Sequence, residues 1–375
     1  MAITFTQQPN TLNFAQNPIV AKVRTTQTTA GSGKSFLRIV CRVTFSDVSI
    51  SSIPDFTTEL SQPVADGGEA SFNFSDASQV ILNRMMAELD MNGDALSKRF
   101  AVYMSATFRE VWILDNQEVE GESLSLSGIT IVPGRLTDFE LLTRDDIDLE
   151  GMVSSVQRMS RKPDAGLLYQ GETLVVPMLY NGVATVTNTA KVGDVQIGTA
   201  SQLLNGRALY QSGVSLSGGS DGEVVVSSSH LPSVTGYYRT NTHGVHFLRF
   251  INGFGAVENI AVRAKDKLSY EVGGETHSLV QGISVRPTDR RYATKSQPVG
   301  IYELSSGYVP KQWAEWYVQE LLTSPKVWIQ LGGKWVPALI ESEDDCVIYD
   351  RTKPGMPHVD FTLRLAIDGV TGITW

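Results

Sequence analysis

The residues whose types and spacing suit chemistry fall in a few stretches. Gly31-Ser32-Gly33-Lys34-Ser35 has the ending of a phosphate-binding loop, in which backbone N–H groups and a lysine cradle phosphates. That motif needs its first glycine at position 28, which is Thr28, and it must open a helix. Phe36–Phe45 (FLRIVCRVTF) reads instead as a strand, so a Gly/Ser turn between strands is expected. Asp90-Met91-Asn92-Gly93-Asp94 looks like the front of a calcium loop, but the glycine and glutamate required further on are Ala95 and Ala101. It reads as a helix-terminating turn. His243 and His246, on a strand, would point to opposite faces and would not converge on a metal. His246 would share a face with Leu248 and Phe250. Glu341-Ser342-Glu343-Asp344-Asp345 is the densest acidic run. Calcium binding and glycoside hydrolysis are the chemistries open to it, and a solvated turn between two strands is favoured by its position. No G-x-S-x-G elbow or G-x-G-x-x-G stands at a strand-to-helix junction, and no H-E-x-x-H is present. No catalytic residue, cofactor site or metal site is assigned on these grounds.

Trp313, Trp316, Trp328 and Trp335 cluster late in the chain. Large amphipathic rings serve cores, subunit interfaces and sugar platforms alike. Packing of a helix on the last strands is expected, with Trp313, Trp316 and Trp335 as the candidate interface residues.

The elements that must hold these residues are mostly strands. Three β-branched or aromatic runs are interrupted by pairs that tolerate positive φ: Asn181-Gly182, Asn252-Gly253 and Gly332-Gly333. Each predicts a hairpin with a two-residue turn. Arg99–Phe108 and Glu110–Asp115 read as paired strands, and Ser123–Val132 and Phe361–Ile367 alternate apolar residues. Asp76–Asp90 reads as a helix capped by Asp76, with Val80, Ile81, Met85 and Leu89 on one stripe. Pro310–Thr323 reads as a second, its proline in the first turn and Trp313, Trp316, Tyr317 and Leu321 on one face. A third is expected within Leu141–Met159. The fold class expected is mainly β: several antiparallel β-sandwich or barrel-like modules with two or three short helices.

The chain has 375 residues, with 42% hydrophobic and 19% charged, so packed cores are expected and disorder is not. Composition places an N-terminal β-rich module with one helix at 1–145 and a middle Gly/Ser/Thr-rich module or insertion at 146–235. A C-terminal hairpin module with a Trp-rich helix follows at 236–375. The balance of 31 basic and 40 acidic residues, with no basic stripe, argues against nucleic acid as a partner. No signal peptide or run of 18 apolar residues is present, so synthesis in a cytoplasm without membrane insertion is expected. Cys41 and Cys346 are far apart; two buried thiols are favoured over a disulfide.

HGVHFLRFINGFGAVENIAV (His243–Val262) and YELSSGYVPKQWAEWYVQELLTSPKVWIQLGGKWVPALI (Tyr302–Ile340) resemble virion proteins of phages and prophages of Bacteroidetes-type bacteria. So do LNFAQNPIVAKV (Leu12–Val23) and the SRKP segment before GETLVVP (Ser160–Pro177). The resemblance implies a non-enzymatic tail, baseplate or fibre-proximal component of a virion. It would assemble with itself and other tail proteins, need no cofactor, and support host attachment through a receptor or glycan. Two other readings stand beside it: a glycan- or protein-binding surface module, and a carbohydrate-active enzyme with dispersed carboxylates.

Overall fold

In the computed structural model the described residues are 3–47, 54–87, 91–92, 96, 98–143, 156–271, 274–278, 291–295, 299–341 and 357–366. The chain is mainly β, built of sandwich and barrel modules.

The first module contains β1 (Thr4–Gln7), β2 (Leu12–Phe14), β3 (Val20–Arg24), β4 (Ser35–Asp47), β5 (Phe56–Pro63) and β6 (Glu69–Asn73). Helix α1 (Ser75–Ala87), β7 (Val102–Leu114), β8 (Gln117–Val132) and the short helix α2 (Asp138–Thr143) complete it. Sheet β2-β8-β7-β4-β5 packs against β1-β3-β6. Inward residues alternate along each strand, and the rings of Phe5 and Phe72 both meet Phe108 at 5.4 Å.

Cys41, on β4, is a buried free thiol whose pKa burial, and secondarily Glu59, pushes up to about 12. Thiolate is the reactive form, and it is absent at neutral pH. In a Cys346→Ser variant, a thiol reagent should label nothing in native protein and one site after denaturation. Labelling of the native variant at the denatured rate would contradict the packing.

The second module contains β9 (Gln157–Arg158), β10 (Gly166–Tyr169), β11 (Thr173–Tyr180), β12 (Val183–Val192), β13 (Val195–Asn205), β14 (Ala208–Ser215), β15 (Gly222–Ser228) and β16 (Val234–Arg239). Sheets β10-β16-β15-β12-β13 and β14-β11-β9 enclose Ile197, Val214, Val224 and Tyr238. The third module contains β17 (Val245–Ile251), β18 (Val257–Glu271), β19 (Gly274–Ser278), β20 (Arg291–Lys295) and β21 (Val299–Ser305). Helix α3 (Lys311–Trp316), β22 (Val327–Leu331), β23 (Lys334–Glu341) and β24 (Asp360–Leu365) follow. A closed barrel runs β17-β18-β21-β24-β23-β22, and β19 pairs with β20 in a two-stranded sheet. α3 and the π-helical turn Tyr317–Leu321 pack Trp316, Tyr317 and Leu321 into its core.

Several local expectations change. Gly332-Gly333 does make a two-residue turn, with both residues at positive φ and Leu331 opposite Lys334. Asn252-Gly253 lies in a hairpin, but the loop is 252–256, with Ile251 opposite Val257 and Gly255 taking the positive φ. Asn181-Gly182 makes no hairpin. β11 pairs with β14 and β9, whereas β12 pairs with β13 and β15, so this dipeptide is the corner where the chain changes sheets. Arg99–Phe108 and Glu110–Asp115 are not a pair but the single strand β7, which bulges between Arg109 and Val111. Its hairpin turn is Asp115-Asn116, both at positive φ. In α1, Asp76 sits inside the first turn, and the buried stripe is Ile81, Leu82, Met85 and Met86, with Val80 57% exposed. Pro310 precedes α3 as its N-cap. The third helix is α2, which begins before Leu141; 144–155 lie outside the described residues, as do Asp90, Leu89, Gly93–Ala95, Ser342–Asp345 and Cys346.

Candidate functional site

The three modules meet at the loop joining β17 and β18. Asn252 folds this loop by accepting hydrogen bonds from the N–H groups of Phe254 (3.0 Å) and Ala256 (2.9 Å) on Oδ1. Its Nδ2 donates to Met159 O (3.0 Å) and Glu258 Oε1 (3.1 Å). The loop then projects Phe254, fully buried, beside Phe14 in the core of the first module. The approach is backbone to backbone: a Cβ on Gly134 would lie 2.1 Å from Phe254 C, and one on Gly255 would lie 2.4 Å from Pro133 Cβ. Both glycines have positive φ, which their lack of a Cβ permits.

Residues 156–166 connect the first module to the second and carry two adjacent cations with different partners. Arg161 places its guanidinium 4.0 Å over the Phe254 ring. Its Nε and Nη2 donate to the two oxygens of Glu140 (2.6 and 2.5 Å), and its Nη1 donates to Glu320 Oε1 (2.5 Å). Glu320 Oε2 accepts from Gly253 N (2.6 Å), and Arg135 N donates to Gly253 O (2.8 Å). One guanidinium therefore ties α2 of the first module to the π-helical turn and the loop of the third. Glu140 is held from its own side by a reciprocal cap: Thr137 N and Oγ1 donate to its carboxylate (both 2.9 Å), and its N–H donates to Thr137 Oγ1 (3.2 Å). Burial pushes the Glu140 pKa up, but the hydrogen bonds from Arg161 and Thr137 outweigh it and hold it below the usual range. Burial opposes the charge on Arg161, and its two carboxylates outweigh that as well.

Lys162 turns the other way. Its charge is attracted by Glu172 of the second module and Glu258 of β18, and its Nζ donates to Asn259 O (2.9 Å). Burial lowers the Lys162 pKa and raises those of Glu172 and Glu258, each effect opposed by attraction across the cluster. The wall beyond is aromatic. Trp313 Nε1 donates to Asp164 O (3.0 Å), and its ring covers Gly166, where a Cβ would fall 2.2 Å away.

No family model matches the chain, and no curated protein matches it. Solved structures with a faint likeness include the calcium binding domain CBD12 of CALX1.1, at 8% identity, 62% of this chain, 82% of that chain and TM-score 0.18. The titin I-band fragment I67-I69 matches at 7% identity, 81% of this chain, 94% of that chain and TM-score 0.19. Trypsin activated alpha-2-macroglobulin from Escherichia coli matches at 8% identity, 96% of this chain, 21% of that chain and TM-score 0.21. Likenesses this faint do not bear on what the junction does.

The junction's chemistry is that of a lock. Glu140 and Glu320 converge, but both are hydrogen-bonded to one guanidinium rather than poised as an acid and a base. A cavity of about 530 Å³ lies beside them, lined by Gln79, Asn83, Arg135, Arg161 and Glu320 among others. Trp313 and Trp316 are buried here, and Trp313 packs on the 156–166 segment at Asp164 and Gly166. Trp335 lies elsewhere, half-buried on β23, with its N–H donating to Asn92 Oδ1 (2.6 Å). Lys34 packs over Trp112 (4.0 Å) after the turn through Gly31 and Gly33. His246 meets Tyr302 edge-on, and among the described residues no three acids, histidines or cysteines are grouped to hold a metal. No helix of the described residues is long and apolar enough to cross a membrane.

Sequence reasoning passed over Arg161, Lys162, Glu140, Glu258 and Glu320. One signal was available: Glu320 stands four residues after Trp316, on the stripe that Trp313, Trp316 and Tyr317 define. A carboxylate on a buried stripe needs a buried partner.

The depressed Glu140 pKa fixes a pH dependence. The unfolded state binds the proton more tightly than the folded state, so this contribution is complete above the unfolded pKa and lost as pH falls through the folded one. Thermal midpoints of wild type and Glu140→Gln, measured from neutral pH down to about pH 3, should converge as pH falls. A gap that stays constant would contradict the ion pair.

Proposed function

We propose that the chain is a non-enzymatic structural component of a phage or phage-like tail or baseplate, carried in the virion, that assembles with copies of itself and with other tail proteins. The observation that supports this best is the lock between modules. Modules joined by ordinary linkers move relative to one another by default. Here the loop of one module is buried in the core of another, and an arginine joins both. A subunit that transmits load between neighbours needs such fixed orientation, while its sheet faces stay available for assembly.

Outward apolar side chains fit self-association. Phe139 and Leu142 on α2 are 74% and 82% exposed, and contact with a second copy would remove them from water. Native mass with negative-stain images should give a defined oligomer, shifted toward monomer by Phe139→Ser with Leu142→Ser. A protein that stays monomeric at high concentration and captures no tail protein in pull-downs would remove this reading.

A further inference from the structure

A second cavity, of about 430 Å³, lies between β13 and β14 of the second module, Met91, Asn92 and Leu96, and the barrel around the β22–β23 turn. Arg249, on β17, reaches it from the barrel and is only 5% exposed. Its Nε donates to Asn259 Oδ1 (3.0 Å), its Nη1 donates to Met91 O (2.9 Å), and its guanidinium lies 4.0 Å over the Trp335 ring. No carboxylate among the described residues pairs with it. Burial pulls its pKa down to about 10. A buried cation whose partners among the described residues are neutral acceptors and a ring is costly to keep and gains from a bound anion.

The rest of the wall is partly polar, and the Ser201 hydroxyl is already paired with Thr187 Oγ1 (2.9 Å). Thr173, Ser201, Gln202 and Ser215 add further hydroxyl and amide groups. Asn92 holds the Trp335 backbone on both sides, accepting from its N–H (2.6 Å) and donating to its carbonyl (3.1 Å), so the ring under Arg249 is fixed in advance. The rim at Asn92, Ser201 and Gly333 is exposed.

We propose that this cavity binds an acidic sugar, with its carboxylate on the Arg249 guanidinium and its hydroxyls on the serine, threonine and glutamine side chains. One cation matches one carboxylate. The volume suits a small organic ligand better than a bare oxyanion, and the hydroxyl-rich wall suits a ring bearing several hydroxyls. The site is independent of whether the chain assembles.

The test is calorimetric titration of the full chain with galacturonate and glucuronate, beside galactose as the neutral ring and acetate as the bare carboxylate. At least one uronate should bind about tenfold or more tightly than galactose and acetate, the scale of one charge-assisted hydrogen-bonded pair. Ser201→Trp, built at an exposed rim position so that folding is kept, should abolish binding without moving the thermal midpoint. Arg249→Gln, where it folds, should erase the preference over galactose. Saturation by neither uronate, equal binding of galactose or acetate, or uronate binding that survives Ser201→Trp would each overturn the assignment.

Discussion

Replacing Arg161 with alanine should cost about 3–5 kcal/mol of stability, the usual consequence of removing one partner from a buried ion pair. The side chains of Glu140 and Glu320 are only 14% and 2% exposed, so neither carboxylate recovers its charge interaction from water. The arginine's packing on Phe254 is lost with it. Lysine should restore little, because a compact ammonium cannot present separate edges to two carboxylates 180 residues apart in sequence at positions 140 and 320. Urea unfolding followed by tryptophan fluorescence reads the change as a lower midpoint at unchanged slope. A double cycle with Glu320→Ala separates the pair from the rest: the two losses should be far from additive. A loss below about 1 kcal/mol would place this arginine with ordinary surface pairs and remove the lock from the assembly argument.

That triad also marks how far local pattern reaches. The β22–β23 hairpin is legible because its register is set by two glycines and the alternating residues beside them, all within one turn of chain. The alternation of Phe361, Leu363 and Leu365 is legible for the same reason. Asn181-Gly182 misleads because the same dipeptide serves equally well at a corner, where Gly182 adopts φ 149° and the strands on either side go to different sheets. Asp115-Asn116 is missed because neither residue is glycine and because Arg109-Glu110 reads as a break in the strand. In the fold Glu110 instead turns inward at a bulge and accepts from Thr25 Oγ1 (2.5 Å).

The junction itself had no local signature. Arg161 bonds to partners 21 and 159 positions away, and the pairing exists only once three modules are in place. What the sequence carries is half of each pair: a charged residue within an otherwise apolar run, as with Glu320 beside the tryptophans and Glu258 in VENIAV. Such residues announce that a partner exists without saying where. The Trp residues show the converse. Their burial against a helix and strands is readable from spacing, but that Trp313 would rest on Gly166 of another module is not.

Gly134→Ala should be the most damaging single-carbon change at the junction, at about 2–5 kcal/mol. Two effects add. Alanine at φ 87° carries left-handed strain of about 1–2 kcal/mol, and its Cβ would lie 2.1 Å from the Phe254 backbone, which has no rotamer with which to move aside. Overpacking of that kind costs about 1–3 kcal/mol. Gly128→Ala separates the two, since Gly128 has nearly the same φ, 78°, but nothing within 4 Å of a built Cβ. It should show the backbone strain alone. The clash falls between modules and leaves the strands of each untouched, so its effect should also be visible in cooperativity. Calorimetry should give one transition for the wild type and at least two for Gly134→Ala, as the third module comes free of the first, while Gly128→Ala keeps one transition at a lower midpoint. Equal losses for the two variants would mean that the backbone approach of Gly134 to the 252–256 loop carries no weight in holding the modules together. The rigid body that the proposed assembly role requires would then have to rest on the side-chain contacts between modules, those of Arg161 and Lys162 among them.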